Sequence, residues 1–214
     1  MKTKFTPEYS GTLRSHLPTV PKCISECGGI RIFGRRIKSL VFSTDVAIIK
    51  NVNADAIIAV YPFTPQPSIT QAIISVSEVP VFVGVGGGMT NGDRSVRLAE
   101  FSEHQGASGV VVNAPISNET IAKMKAVVDI PVVTTIVSGD MDIAGRLAAG
   151  ADILNVSGAS RTPEIVTKIR AEFPTVPIIA TGGPREEDIL RTIEAGANAI
   201  TYTPPPPDSS SPTS

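Results

Sequence analysis

The chain has 214 residues, of which 42% are hydrophobic and 18% charged, a composition typical of one globular α/β domain. Its formal net charge of −1 gives no overall attraction to nucleic acid or to an anionic membrane, and no nucleic-acid-binding motif is present. The first ten residues lack the apolar segment of a signal peptide and no apolar run is long enough to span a membrane, so we expect a cytoplasmic protein.

Residues 1–29 contain three prolines and little periodicity, which predicts an irregular amino-terminal arm. Cys23 and Cys27 have a C-x3-C spacing without a second pair, so we expect reduced thiols and neither a zinc ribbon nor a C-x-x-C redox motif. After the arm, the pattern predicts a strand at 30–33, a turn at 34–36 and a second strand at 37–43.

The rest of the chain repeats a strand and helix pattern. Two kinds of segment precede the aliphatic runs, and they alternate along the chain. One kind consists of small residues, such as Gly150-Ala151, and the other is an aliphatic residue followed by proline, such as Val176-Pro177. Each interval holds one helical pattern, for example 142–149 and 186–195. The eight predicted strands are 39–43, 55–61, 80–86, 108–114, 131–137, 152–158, 177–182 and 198–203. Buried-type parallel strands with helical crossovers predict a small α/β domain, a (β/α)8 barrel over residues 30–203, with an open doubly wound sheet as the alternative.

The barrel is predicted to lack its eighth helix, because strand eight is followed by four prolines and a Ser/Pro/Thr tail, which we expect to be disordered over residues 204–214. An apolar seam would then be exposed between strands eight and one. Either the arm, through Phe5, Tyr9, Leu13 and Leu17, or a second copy of the chain must cover it. We expect a homo-oligomer to which the arm contributes.

Strand seven ends in Thr181-Gly182-Gly183 and turns directly into a helix. Adjacent glycines allow backbone amides to approach an anion, and the helix N-terminus adds free N–H donors. In (β/α)8 barrels, the loops after strands seven and eight commonly form a phosphate site. We therefore predict phosphate binding here, although such a turn also occurs as a plain structural connection.

Residues Gly150 to Thr203 resemble the phosphate-binding TIM barrels of the ribulose-phosphate-binding type. The segments 149–153, Ser157-Gly158, 162–166 and 177–183 are similar to those of N-acetylmannosamine-6-phosphate 2-epimerases. More loosely, they resemble thiamine-phosphate synthases and 2-keto-3-deoxy-6-phosphogluconate aldolases, whose seventh strand also ends in Thr-Gly-Gly. The resemblance implies a phosphorylated ligand and places Gly158 in its site.

Two departures limit this resemblance. The epimerases and aldolases use a lysine at a strand end, whereas every lysine here precedes the end of strand one or lies on a predicted helix. A Schiff-base aldolase is therefore disfavoured. In addition, strand eight offers Tyr202-Thr203 in place of the Gly-Ser that commonly completes the phosphate site.

Strand alternation predicts which polar residues face the barrel mouth. Counting from each lead-in places Asn113, Asn155, Ser157, Thr201 and Thr203 inside. Together with Thr135 and Thr181 they form a candidate ligand-binding cluster. Alternatively, the hydroxyl and amide groups satisfy one another within the barrel.

Charged candidates near the strand ends are few. Asp45 and Asp140 are candidates for the general acid or base, although each is equally suited to capping a helix. Arg161 is placed to clamp an anionic ligand or to remain solvated. Neither histidine lies at a strand end, and no metal-ligand cluster is visible, so we expect no metal and no organic cofactor.

Two mouth loops have unusual compositions. The loop 86–92 is rich enough in glycine to approach a ligand or to move as a lid, with a flexible connection as the alternative. The stiffer segment 61–65 is suited to form an apolar wall.

The sequence therefore predicts a small phosphorylated metabolite at the mouth and an isomerase, epimerase or lyase acting on a sugar phosphate. A hydrolase using a carboxylate-activated water and a non-catalytic ligand-binding barrel remain alternatives.

Overall fold

The computed structural model describes residues 4–11 and 17–205, and contains a closed barrel of eight parallel strands. The strands of the chain are β1 Ile30–Ile32, β2 Arg35–Ile37, β3 Ser39–Phe42, β4 Ala56–Ala59, β5 Val81–Gly84, β6 Gly109–Val112, β7 Val132–Ile136, β8 Ile153–Val156, β9 Ile178–Thr181 and β10 Ala199–Tyr202. Strands β3 to β10 pair in sequence order and β10 pairs with β3. This closure confirms the predicted (β/α)8 barrel and excludes the open sheet.

Seven α-helices cover the outside of the barrel in the described part of the chain. They are α1 Val46–Asn51, α2 Pro67–Val76, α3 Gly92–His104, α4 Asn118–Lys125, α5 Ile143–Ala148, α6 Thr162–Glu172 and α7 Glu186–Glu194. Short 3-10 helices span Lys22–Glu26 and Ala159–Arg161. None of the described helices combines the length and hydropathy needed to cross a membrane.

Side chains from alternating positions of the strands fill the inside of the barrel in layers. Its buried apolar residues include Leu40, Ile58, Phe82, Val133 and Ile179. The hairpin β1–β2 closes the amino-terminal end, because Ile30, Ile32 and Ile37 join the same cluster. Closing this end leaves the carboxyl-terminal end as the open mouth.

The hairpin corrects one predicted boundary. The turn lies at Phe33 and Gly34, both with positive φ, and Arg35 and Arg36 belong to β2 rather than to the turn. The predicted second strand is broken at Lys38, where the chain passes from the hairpin into the barrel. The tight two-residue turn explains the shift, since it brings Arg31 opposite Arg36 in the ladder.

The amino-terminal segment from Val20 to Cys27 occupies the seam between β10 and β3, where residues 203–205, the last ones that the structure describes, form no helix. Cys23, Ile24 and Cys27 are buried in the same outer cluster as residues of α7 and β10, and Val20 packs against both outer clusters. On either side of the seam, the outward-facing Val41 and Ile200 are 0% exposed. A single chain therefore buries this surface without a second copy.

The arm covers the seam with residues other than the expected ones. Phe5 and Tyr9 are 87% and 95% exposed, so the expectation that they pack on the seam is wrong, and Leu17 is partly exposed. Leu13, His16 and the tail from residue 206 onward lie outside the described residues. The segment that covers the seam is held on the barrel by hydrogen bonds from the Gly29 amide to the Asn198 carbonyl and from the Val20 amide to Asn53 Oδ1.

Candidate functional site

Five polar side chains lie at the carboxyl ends of four neighbouring strands and form what we call the polar cluster: Thr135, Asn155, Ser157, Thr181 and Thr201. Alternation puts them on the inner face, in line with the buried core residues Val133, Ile153, Ile179 and Ala199. Asn155 Nδ2 donates to Thr135 Oγ1 at 3.5 Å, and Thr181 Oγ1 donates to Ser157 Oγ at 3.3 Å. Both hydrogen bonds are long, so the groups only partly satisfy one another.

Two atoms of the polar cluster are buried without a hydrogen-bond partner among the described residues. They are Asn155 Oδ1 and Thr201 Oγ1, and Thr201 is only 7% exposed. Leaving a buried polar atom unpaired costs about 1–3 kcal/mol. The expectation that the hydroxyls and amides fully satisfy one another therefore fails at these two atoms, which are suited to accept or donate a hydrogen bond to a bound molecule.

The turn after β9 places the two glycines in constrained positions. The Gly182 amide donates to the Thr201 carbonyl at 3.3 Å, and a side chain at Gly182 would meet Ile200 and Ile189 at 2.7 and 2.8 Å. Gly183 has a φ of +86°, and a Cβ there would lie 2.9 Å from that of Asp188. Both glycines thus have a structural reason to be there, whatever the turn binds.

Several free donors remain at this turn. In the part of the chain that the structure describes, the backbone amides of Gly183, Arg185, Glu186 and Glu187 have no hydrogen-bond acceptor. They precede or begin α7, whose N-terminus carries partial positive charge. The turn therefore retains backbone amides suited to an anion.

The charged side chains around the N-terminus of α7 have opposite effects on the binding of an anion. Glu186, Glu187 and Asp188 lie in its first turn and would repel one. Arg185 binds Asp188 through Nε to Oδ2 at 3.0 Å and Nη2 to Oδ1 at 3.2 Å. These hydrogen bonds hold the pKa of the Asp188 carboxyl below its usual value and raise that of Arg185. The exposed Arg185 guanidinium is the cation beside Gly183.

The loop after β10 adds little to an anion site. Thr203 is exposed, and Pro204 and Pro205 follow it. Proline has no backbone N–H, so these two positions contribute no donor. Thr203 contributes its hydroxyl group as a possible hydrogen-bond donor to an anion.

The loop after β8 turns away from the polar cluster into α6. The Gly158 amide, predicted to bind substrate, donates to the buried Thr162 Oγ1 at 3.0 Å. Ala159 has a φ of +52°, a left-handed conformation that costs a non-glycine residue about 1 kcal/mol or more. Arg161 lies 3.5 Å from Glu164 in an exposed ion pair, as the solvated alternative expected.

Both candidate acid–base residues already have partners. Asp45 caps α1, because its Oδ1 accepts from the Ala47 amide at 2.8 Å and the Ile48 amide at 3.3 Å. Asp140 pairs with Lys168 at 3.1 Å and its side chain is 88% exposed. It is Asp142, not Asp140, that caps α5. Their catalytic roles stay predictions.

A cavity of about 370 Å³ lies on the other side of the mouth, between the loops that follow β4 and β5. We call it the mouth cavity, and its lining includes Val60, Tyr61, Phe63, Gly84, Met89 and Asn113. Asn113 is thus placed with the mouth cavity and not with Thr181. The predicted wall of residues 61–65 forms one side of the mouth cavity.

Sequence reasoning missed two apolar residues at the mouth. Phe42 and Val137 end the inner faces of β3 and β7 and remain partly exposed. The alternation rule places both inside, because Phe42 lies two residues after Leu40 and Val137 two residues after Thr135. Within residues 4–11 and 17–205, no group of three or more His, Cys, Asp or Glu side chains is arranged to hold a metal ion.

No model of a known protein family and no curated protein matches the chain. Solved structures do match it. A putative phosphonomutase from Burkholderia cenocepacia J2315 is 16% identical, with a TM-score of 0.61, over 77% of this chain and 85% of that one. Phosphonopyruvate hydrolase, in a complex with oxalate and Mg²⁺, is 15% identical, with a TM-score of 0.61, over 81% and 77%.

A third structure, a putative deoxyribose-phosphate aldolase from Coccidioides immitis, is 15% identical, with a TM-score of 0.60, over 77% of this chain and 79% of that one. The names of these three similar proteins indicate different reactions. At this level of identity the likeness establishes the barrel fold.

Proposed function

We propose that this barrel binds a small phosphorylated metabolite at its mouth and acts on it as a lyase or as an isomerase or epimerase. The observation that carries the proposal is the polar cluster, in which Thr201 Oγ1 and Asn155 Oδ1 are buried and have no partner in the part of the chain that the structure describes. A hydroxyl-rich ligand would satisfy both atoms and remove their desolvation cost. The resemblance to sugar-phosphate epimerases supports the same ligand class.

The phosphate end of this ligand is assigned to the turn after β9. Four groups there are suited to it: the free Gly183 amide, the hydroxyls of Ser157 and Thr181, and the guanidinium of Arg185. Arg185 would exchange Asp188 for the phosphate, since a guanidinium binds either anion in a bidentate manner. The acidic first turn of α7 then limits affinity, because Glu186 and Glu187 remain close.

Proton transfer is proposed for Asp45 or Asp140, which follow the first and fifth barrel strands. Each residue uses one carboxylate oxygen for its present partner, Oδ1 of Asp45 for the α1 amides and Oδ1 of Asp140 for Lys168, which leaves Oδ2 of each for a proton. The structural partners of both residues favour a second candidate function, a ligand-binding barrel without catalysis. In that case the same ligand binds and no proton is transferred.

The ligand class is tested by denaturing purified protein and identifying the released small molecules by mass spectrometry. The proposal predicts a phosphorylated, hydroxylated compound, which then serves as the substrate candidate in activity assays. Release of only unphosphorylated compounds would contradict it. Binding without turnover would leave the non-catalytic barrel in place of the enzyme.

Two threonines provide a matched pair of variants for the released ligand. Thr201 and Thr134 both have a buried, unpaired hydroxyl, but Thr134 faces the outer helices from β7 while Thr201 faces the mouth. Valine keeps the shape and removes the hydroxyl in both. Thr201→Val should weaken ligand binding about 5- to 10-fold, since one hydrogen bond contributes about 1 kcal/mol. Thr134→Val should leave the affinity unchanged, and equal effects would count against the assigned site.

A further inference from the structure

The mouth cavity has a composition that the phosphate site does not explain. Among the described residues, its lining includes no Asp, Glu, Lys, Arg or His, and aromatic and proline residues of the loop after β4 face the glycines of the loop after β5. Its volume of about 370 Å³ lies in the range of small-molecule sites. A charged group entering it would lose hydration without gaining an opposite charge.

Gly84, Gly86 and Gly88 line one wall of the mouth cavity with bare backbone. Gly84 ends the inner face of β5, where a Cβ would already lie 3.2 Å from Val60 Cγ2. Gly86 and Gly87 have φ values of +117° and +112°, and side chains there would meet backbone atoms of Thr90 and Asn113 at 2.3 and 2.6 Å. Bare backbone therefore forms this wall, and a flat group can approach it closely.

The mouth cavity is held open by hydrogen bonds between its walls. The Gly87 amide donates to the Thr90 carbonyl at 2.7 Å, and the Asn113 amide donates to the Gly86 carbonyl at 2.9 Å. Thr90 Oγ1 donates to Thr64 Oγ1 at 3.1 Å and so joins the two loops. These contacts describe a preformed site and weigh against both a moving lid and a flexible connection.

One polar edge is available inside the mouth cavity. The side-chain amide of Asn113 has no hydrogen-bond partner among the described residues, and it offers both donors and an acceptor. The loop behind it is fixed by Arg146, whose guanidinium donates to the Ala114 carbonyl at 2.8 Å and to Asn118 Oδ1 at 2.9 Å. The backbone at Asn113 is therefore held in place, and its exposed side-chain amide lies at the edge of an apolar wall.

We infer that the mouth cavity binds an uncharged planar ring with an amide-like edge, stacked on the wall that contains Tyr61 and Phe63 and paired with Asn113. This inference rests on the proposed function in one respect: it makes the ligand a phosphorylated molecule that also carries such a ring. Aromatic rings stack favourably on flat groups, and the exposed Phe63 and Met89 extend the wall over the mouth.

The mouth cavity is tested by titrating the ¹⁵N-labelled full chain with benzamide, benzoate, benzamidine and cyclohexanecarboxamide, following backbone amide shifts. Benzamide should move the signals of Gly84, Gly86 and Gly88 with a Kd of about 1 mM, a value typical of so small a ligand. The two charged analogues and the non-planar amide should bind at least about 5-fold more weakly. Equal binding of all four compounds would overturn the inference.

Two variants locate the binding. Asn113→Ala should weaken benzamide about 5- to 10-fold, as one lost hydrogen bond implies, and Phe63→Ala should have a similar effect through lost stacking. Phe5→Ala removes an exposed phenylalanine of the arm and is the matched control. If both cavity variants bind benzamide like the control, the inference is wrong.

Benzamide carries no phosphate, so its binding is independent of the turn after β9. Benzamide binding without any response to phosphorylated compounds would contradict the proposed function and support the ring site. A response to phosphorylated compounds with no benzamide binding would overturn the ring site alone.

Discussion

Ile24→Ala is expected to destabilise the barrel, because Ile24 fills the seam between β10 and β3. Its side chain is 1% exposed and packs in the outer cluster with Ile189 and Ile200. Alanine removes three buried carbon atoms, which at about 0.8 kcal/mol each cost about 2.4 kcal/mol in transfer free energy. The cavity left behind raises the expected loss of unfolding free energy to about 3–4 kcal/mol.

Urea unfolding followed by far-UV circular dichroism measures this loss. Phe5→Ala, on the exposed part of the arm, is the control and should change the unfolding free energy by less than about 0.5 kcal/mol. Deleting residues 1–16 should likewise have little effect, whereas deleting residues 1–29 should expose the seam and cause aggregation or self-association in light scattering. An Ile24→Ala variant as stable as Phe5→Ala would refute the assignment of the segment to the seam.

Three further predictions concern single ionisable groups. Burial raises the pKa of Cys27 from 9.0 to about 11, so the thiol stays protonated in the folded chain while it ionises in the unfolded one, and the unfolding free energy should fall between those pH values. Cys27→Ala should flatten this alkaline decline, and an unchanged pH profile would argue against it. Asp45→Ala should cost about 1 kcal/mol as a lost helix cap while Asp45→Asn keeps the cap, which thermal unfolding will show. With a substrate in hand, Asp45→Asn or Asp140→Asn should lower turnover about 10²–10⁴-fold if that residue transfers the proton, and full turnover in both would leave neither in that role.

The barrel was predictable because each strand carries its signal locally. The runs after Gly150-Ala151 and Val176-Pro177 are aliphatic, short and bounded by helix signals, and β8 and β9 formed within one or two residues of the predicted ranges. Closure followed from the count of eight units. The seam was harder, because the segment around Ile24 has no periodicity, and burial there depends on what α7 and β10 leave uncovered.

The inward positions of the polar cluster were also predictable, since a strand alternates with a period of two and Asn155 and Thr201 follow the core residues Ile153 and Ala199. The long-range partner of Asp140 was not predictable, because it meets Lys168 from a helix that begins more than twenty residues later. Arg185 and Asp188 are only three residues apart and meet in the first turn of α7. The mouth cavity is lined by Gly84, Gly86 and Gly88 opposite the loop after β4, an arrangement visible only once the neighbouring strands are in place.

The sequence predicted a homo-oligomer partly because a second copy could cover the apolar seam. Val41 and Ile200, which flank the seam, are already buried within one chain, so this reason is weakened. Phe5 and Tyr9 remain exposed and could still pack against a second copy, so the homo-oligomer stays a prediction. The molar mass of the full chain, measured by light scattering, tests it directly. A monomer before and after removal of residues 1–16 would contradict it.

The phosphate assignment is tested most directly by titrating the ¹⁵N-labelled chain with glycerol 3-phosphate, with glycerol as the unphosphorylated control. The account predicts saturable shifts of the Gly183 amide, and of Ser157 and Thr201 in the polar cluster, with a Kd of about 1 mM or tighter and no response to glycerol. Shifts confined to other parts of the chain, such as the arginines of the β1–β2 hairpin, or no shifts at all, would contradict a phosphate site at the turn after β9.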